Sequence, residues 1–123
     1  MVFTYDVANK FAPKHKMRGN SSAITHIDFT LSGQHLMTNS LSYEILFYDT
    51  TTGKQETRGG SILKDEKWAS WSCTLGFPVM GIFPPAADGS DINAVARSPD
   101  GTVSATADDF GTVKLFKYPC PVE

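Results

Sequence analysis

Residues 106–120, TADDFGTVKLFKYPC, decide how the rest of the chain is read. They contain Asp109-Phe110-Gly111, the tripeptide that holds catalytic magnesium in protein kinases. A kinase also needs a Gly-rich loop, a strand lysine and a His-Arg-Asp loop upstream, and none is present. Asp108 and Asp109 do not suit acid–base work as a pair, because adjacent residues on a strand point to opposite faces. In a hairpin turn the same residues make chemical sense. An Asp accepts bonds from nearby backbone N–H groups, which would cost about 1–3 kcal/mol if left buried and unpaired. Gly111 supplies a positive φ. Asp108, Asp109 and Gly111 are therefore read as a structural turn between strands at 102–107 and 112–118.

Outward from this hairpin, the chain is a succession of short β-rich runs. Strands are expected at 24–29, 34–39, 43–49, 71–75, 79–83 and 92–97 as well. Ser32-Gly33, Thr52-Gly53, Arg58-Gly59-Gly60, Asp88-Gly89 and Asp100-Gly101 separate them with turn chemistry. No long amphipathic helix is indicated, and Lys64 to Trp68 would make one helical turn at most.

The runs repeat. Set 68 residues apart, AITHIDFTLSGQHLMTNSLSYEILFYD (23–49) and DINAVARSPDGTVSATADDFGTVKLFK (91–117) match Ile24 to Ile92, Gly33 to Gly101 and Thr38 to Thr106. Ile27 meets Val95, Ile45 meets Val113 and Tyr48 meets Phe116. The shared order is strand, Gly turn, strand, polar turn, then an apolar strand ending in an aromatic. VFTYD (2–6) parallels ILFYD (45–49) at a shift of 43, within the roughly 40–45 residues of a WD-repeat blade. The surplus of about 25 residues in the longer shift is an insertion. The strands are apolar on both faces, as in sheets packed on either side by neighbours.

GNSSAITHIDF, TNSLSYEILFYD, WASWSCTLGFPVMGIFP, DGSDINAVARS and DDFGTVKLFKYPC, in this order, resemble the echinoderm microtubule-associated protein-like family. Its atypical WD propellers carry SSxITHIDW, NSxxYEILYW, WATxTCxLGF, GTDINAVCRS and DDFGKVHLFSYPC. The resemblance covers residues 19–120. It implies a cytoskeletal protein with two fused propellers, an N-terminal trimerising coiled coil and a basic microtubule-binding segment. It also implies that the propeller pair associates with soluble tubulin. Heptads and the basic segment are not found here, so microtubule binding through that segment is not carried over. The expected fold is all-β: about two atypical WD-repeat blades plus part of a third, a fragment of a larger propeller. Residues 1–10 supply the last strand of a preceding blade, 19–54 a blade, 55–88 an insertion with extra strands, and 89–120 a blade. Asn20 stands where many WD repeats have His, Ser42 where the family has the turn Asp, and Tyr48 and Phe116 in place of Trp. The hydrogen-bond network of those residues is expected to be incomplete in the first blade, and Phe116 has no donor.

Charge argues the same way. Eleven basic against thirteen acidic residues give a net charge of −2, which provides no general attraction for nucleic acid or an anionic membrane. The densest positive run, Lys10 to Arg18, is read as a solvated inter-strand loop. Cys73 and Cys120 are far apart, with no CxxC and no His at metal spacing, so neither zinc nor a disulfide is indicated. No apolar run is long enough to span a bilayer, and the N-terminus lacks a signal-peptide layout.

Other candidates have plain structural readings. His26, sharing a strand face with Ile24 and Asp28, would need a nucleophile, and no GxSxG accompanies it. It is read as a partly buried histidine between blades. His15 and His35 carry no identifiable signal. Trp68, Trp71, Phe77 and Phe83 are read as core, each contributing about 1.5–3 kcal/mol on burial, over an aromatic recognition surface. Pro84-Pro85 lacks PxxP spacing. The expectation is a cytoplasmic, cytoskeletal, non-enzymatic interaction module with no cofactor or metal. Its partners are proteins, tubulin or microtubules among them, and the isolated fragment self-associates through uncovered sheet faces. The alternative is a general WD scaffold for signalling or ciliary assembly without tubulin contact.

Overall fold

Eight strands form among the described residues, most of them where β-branched or aromatic residues lie between turn-forming pairs. The computed structural model describes residues 1–122. It comprises a first unit, Met1–Ala69, and a second that begins at Ser70.

The first unit carries β1 (Val2–Asp6), β2 (Ala12–Met17), β3 (Ile24–Phe29), β4 (His35–Ser40) and β5 (Ile45–Asp49). β1 and β2 form a two-stranded antiparallel sheet, and β3-β4-β5 a three-stranded antiparallel meander. Lys10 to Arg18 is thus not a loop. Its second half is β2, with Met17 opposite Val2 and His15 opposite Thr4. Pro13 is accommodated because the register shifts between Thr4 and Tyr5, where a missing N–H interrupts nothing. β1 falls within residues 1–10 and is paired with a further strand that ends at Met17.

One face of β3-β4-β5 carries Leu36, Thr38, Leu46 and Tyr48, because residues opposite one another in the register project together. Leu36 and Tyr48 pack with Val2 and Met17 of the β1–β2 sheet, joined at the margin by Ile24 and Leu46. Phe47, on the opposite face, meets Trp68 at 6.4 Å between ring centroids. A short helix α1 (Gly59–Ile62) follows, and a Cβ on Gly59 would collide with the Phe47 ring.

In the second unit β6 (Ile92–Arg97), β7 (Val103–Asp108) and β8 (Val113–Lys117) form another antiparallel meander. The strands expected at 71–75 and 79–83 are not formed. Residues 77–82 make 3₁₀ turns, broken at Val79, where φ is −126°. Pro78 has no N–H for a ladder. Its carbonyl accepts from Cys120 N at 2.7 Å, and Gly81 N donates to Cys120 O at 2.8 Å, so the segment binds the end of the chain instead of a sheet. Trp71 is buried with its ring 6.3 Å from that of Tyr118.

Candidate functional site

The two meanders reproduce one another bond for bond. Gly33 N donates to Thr30 O as Gly101 N does to Ser98 O, and Leu41 N to Ala23 O as Asp109 N does to Asp91 O. Thr50 N donates to Gln34 O as Tyr118 N does to Thr102 O. Each pair is 68 residues apart. The first strand of each meander carries its register shift at the same place, after Ile24 and after Ile92. This shift rotates Ile24 to the face opposite His26, so the expected grouping of Ile24 with His26 and Asp28 is corrected. His26 Nδ1 lies 3.0 Å from Thr25 Oγ1.

The opening turn is now concrete. Asp108 Oδ1 accepts from Phe110 N at 3.0 Å and Thr112 N at 2.9 Å, while Lys114 Nζ lies 3.6 Å from the other oxygen. The Thr112 amide, followed by the Phe110 amide and the Lys114 charge, holds the Asp108 carboxyl below its usual value. Asp109 does something different: its Oδ1 accepts from Asn93 Nδ2 at 2.7 Å. Gly111 has φ 75°. The counterpart turn uses Ser40, whose Oγ accepts from Ser42 N and Glu44 N, and Tyr43 at φ 60°. Thus the two carboxylates at 108–109 are each engaged by different groups and share no common focus.

The first meander also contains a polar network. Asn20 Oδ1 accepts from Tyr48 Oη at 2.9 Å and from Thr38 Oγ1 at 3.2 Å. Here Asn20, Thr38 and Tyr48 rebuild with different side chains the linkage that was expected to be incomplete. Gly19 is required beside it, since a Cβ there would stand 2.5 Å from the Tyr48 hydroxyl. Burial pushes the Tyr48 phenol above its ordinary pKa. Glu44 closes a second clasp: Ser21 Oγ donates to Oε1 and Ser40 Oγ to Oε2, both at 2.6 Å. The Ser21 hydroxyl, the Ser40 hydroxyl and the Ser21 amide, in that order, hold the Glu44 pKa down at about 2. The sequence signal for this clasp is weak, because Ser21 and Glu44 lie 23 residues apart in different motifs. In the second meander Thr112 stands at the position equivalent to Glu44, and Phe116 has no hydroxyl.

Trp68 and Trp71 are buried, whereas Phe77 is exposed. The tryptophans therefore serve packing within their own units. An apolar groove of about 340 Å³ in the second unit is lined by Ile82, Pro84, Pro85, Phe116 and others, with Lys114 and Cys120 at its wall. No group of three His, Cys, Asp or Glu among the described residues is placed to hold a metal ion. Among the described residues no helix is long and apolar enough to cross a membrane.

One face of β6-β7-β8 is uncovered and apolar. Ala94, Ala107 and Val113 stand opposite one another in the register, as do Ala96, Ala105 and Leu115. Val113 is 72% exposed and Leu115 73%.

Comparison with known proteins gives these features a family. A sequence model described as the second β-propeller of echinoderm microtubule-associated protein matches residues 1–123. Echinoderm microtubule-associated protein-like 2 of Rattus norvegicus is 47% identical over 123 residues, covering 98% of this chain and 19% of the relative. The like-4 protein of Xenopus tropicalis is 44% identical over 122 residues, covering 97% and 13%. The like-3 protein of Homo sapiens is 40% identical over 123 residues, covering 98% and 14%. The chain thus spans less than a fifth of the length of these relatives. Its three small antiparallel sheets are partial β-propeller blades, and the chain belongs to the echinoderm microtubule-associated protein-like family.

Proposed function

We propose that this chain is a non-enzymatic protein-interaction module, part of a WD-repeat propeller in a cytoplasmic, cytoskeletal protein. Tubulin or another cytoskeletal protein is its partner, met through loops and blade edges. The observation that carries this reading is the family match over the whole chain, together with relatives named as microtubule-associated. Residues 19–54 and 89–120 act as blades and 55–88 as the insertion between them. Asp108, Asp109 and Gly111 act as a structural turn, because both carboxylates are occupied in holding backbone or Asn93 in place. The test is capture of soluble tubulin by an intact propeller containing residues 1–123. Retention is expected. No retention, with the propeller folded, removes tubulin and leaves a scaffold for other proteins.

The uncovered face of β6-β7-β8 acts as an inter-blade face. The β1–β2 sheet supports this reading from within the chain: its Val2–Met17 face is covered by Leu36 and Tyr48 of the meander that follows it. Its outer face, with Phe3 and Tyr5, is exposed. In the isolated chain a second copy offers that outer face to Val113 and Leu115, so the chain self-associates head to tail. Sedimentation over a range of concentrations checks this.

A further inference from the structure

Arg18 stands three residues before Ser21 in the segment joining β2 to β3, with Gly19 and Asn20 between them. Arg18 and Ser21 are both exposed, and 18–23 belongs to no strand or helix. Extended, three residues span about 10 Å. That spacing lets a kinase hold the guanidinium in a carboxylate pocket, by bidentate hydrogen bonds, while the serine enters its cleft. We propose that Ser21 is a phosphorylation site for an arginine-directed serine/threonine kinase, and that the phosphate opens the clasp Glu44 makes between the β2–β3 segment and the β4–β5 turn.

The step balances with magnesium-bound ATP as co-reactant. Ser21 Oγ forms a bond to the γ-phosphorus, the bond from that phosphorus to the β,γ-bridging oxygen breaks, and ADP leaves. The hydroxyl proton passes to the kinase's base and then to solvent.

The consequence follows from the contacts. Ser21 Oγ lies 2.6 Å from Glu44 Oε1, and Ser21 N donates to both carboxylate oxygens at 3.0 and 3.3 Å. Phosphorylation removes the O–H donor and places a charge of about −1.5 to −2 beside an ionised carboxylate. Repulsion then separates Ser21 from Glu44, which also holds Ser40. Asn20, the adjacent residue, anchors Tyr48 and Thr38, so the disturbance reaches the core of the first meander.

The chain contains an internal control. Arg58 precedes Ser61 by the same interval. Ser61, however, lies in α1 with its hydroxyl donating to Arg58 O at 2.9 Å. Extending that backbone would pull Gly59 from its place against Phe47. Reaching Ser61 therefore requires unwinding α1, whereas Ser21 lies outside any strand or helix and its hydroxyl is held by the Glu44 side chain alone.

The experiment incubates the full chain with the catalytic subunit of cyclic-AMP-dependent protein kinase and MgATP, and locates phosphate by fragmentation mass spectrometry. Expected are phosphate on Ser21, at least a tenfold lower initial rate in Arg18→Ala, and a Tm lower by about 4 °C or more after phosphorylation. In Glu44→Gln that Tm shift falls by at least half. Phosphate on Ser22 or Ser61 in place of Ser21, no incorporation, or an unchanged rate in Arg18→Ala overturns the site. A phosphorylated chain with unaltered Tm, or a shift undiminished in Glu44→Gln, overturns the clasp.

Discussion

The meanders β3-β4-β5 and β6-β7-β8 share turns, register shifts and backbone bonds, yet differ in how they are covered. Met37 and Asn39 are each 1% exposed, whereas Ala107, the counterpart of Asn39, is exposed, as are Val113 and Leu115 on the same face. The first meander also gains pairing beyond β5, where Glu56 N donates to Phe47 O and Asp49 N to Lys54 O. Among the described residues β8 pairs only with β7. One backbone plan therefore serves two sequences, and side-chain choice on each face records whether a neighbour covers it. Small alanines and two aliphatics make a smooth apolar surface on the second meander. The first uses large and polar side chains that need specific partners.

The largest expected contrast comes from two leucines, one on a covered face and one on an uncovered face. Leu36→Ala removes a fully buried side chain and is expected to cost about 2–5 kcal/mol. Leu115→Ala is expected to stay within about 0.5 kcal/mol when the chain is monomeric. Urea denaturation of dilute samples measures both. Equal losses would erase the distinction between covered and uncovered faces.

Next in size is the turn. Gly111→Ala forces an L residue to φ 75° and is expected to cost about 1–2 kcal/mol. Tyr43→Ala, at a site that already holds an L residue at φ 60°, is expected to change stability by less than about 0.5 kcal/mol. Thermal unfolding of the two variants compares them. Tyr48→Phe is expected to cost about 0.5–1.5 kcal/mol by removing the hydrogen bond to Asn20, and to make the first blade resemble the second, where Phe116 stands.

Much of the architecture is legible in the sequence because turn chemistry is local. Ser32-Gly33 and Asp100-Gly101 mark the same bend, and Gly33 and Gly101 adopt φ 74° and 73°. Three identities in the aligned repeats understate the likeness, since backbone bonds do not depend on which side chain is present. Two features escape for a physical reason. β2 alternates only weakly in polarity, and its existence rests on partners six to fifteen residues earlier in the chain. At 71–75 and 79–83 the residues favour strands, but Pro78 has no N–H for a ladder and residues 77–82 are taken up by 3₁₀ turns. The Asn20–Tyr48 link was hidden because its members differ from the usual WD residues, though their spacing is preserved.

The smallest effect concerns acid. Glu44 has a folded pKa of about 2 against a usual 4.5, so the unfolded chain binds the proton first as pH falls. Its stabilisation is complete above pH 4.5 and is lost between 4.5 and 2. Asp49, Asp88, Asp100 and Asp108 are shifted in the same direction. Glu44→Gln is therefore expected to flatten part of the decline in urea midpoint between pH 5 and 2.5, leaving the aspartate contribution. An identical pH profile in the variant would show that the clasp does not stabilise the fold.

Sedimentation equilibrium of the wild-type chain beside Leu115→Lys tests the central contrast most directly. The account predicts that the average mass of the wild type rises with concentration, while the variant, with its uncovered face charged, remains a folded monomer. A wild type that stays monodisperse and monomeric at every concentration, with a sharp melt independent of concentration, would contradict it.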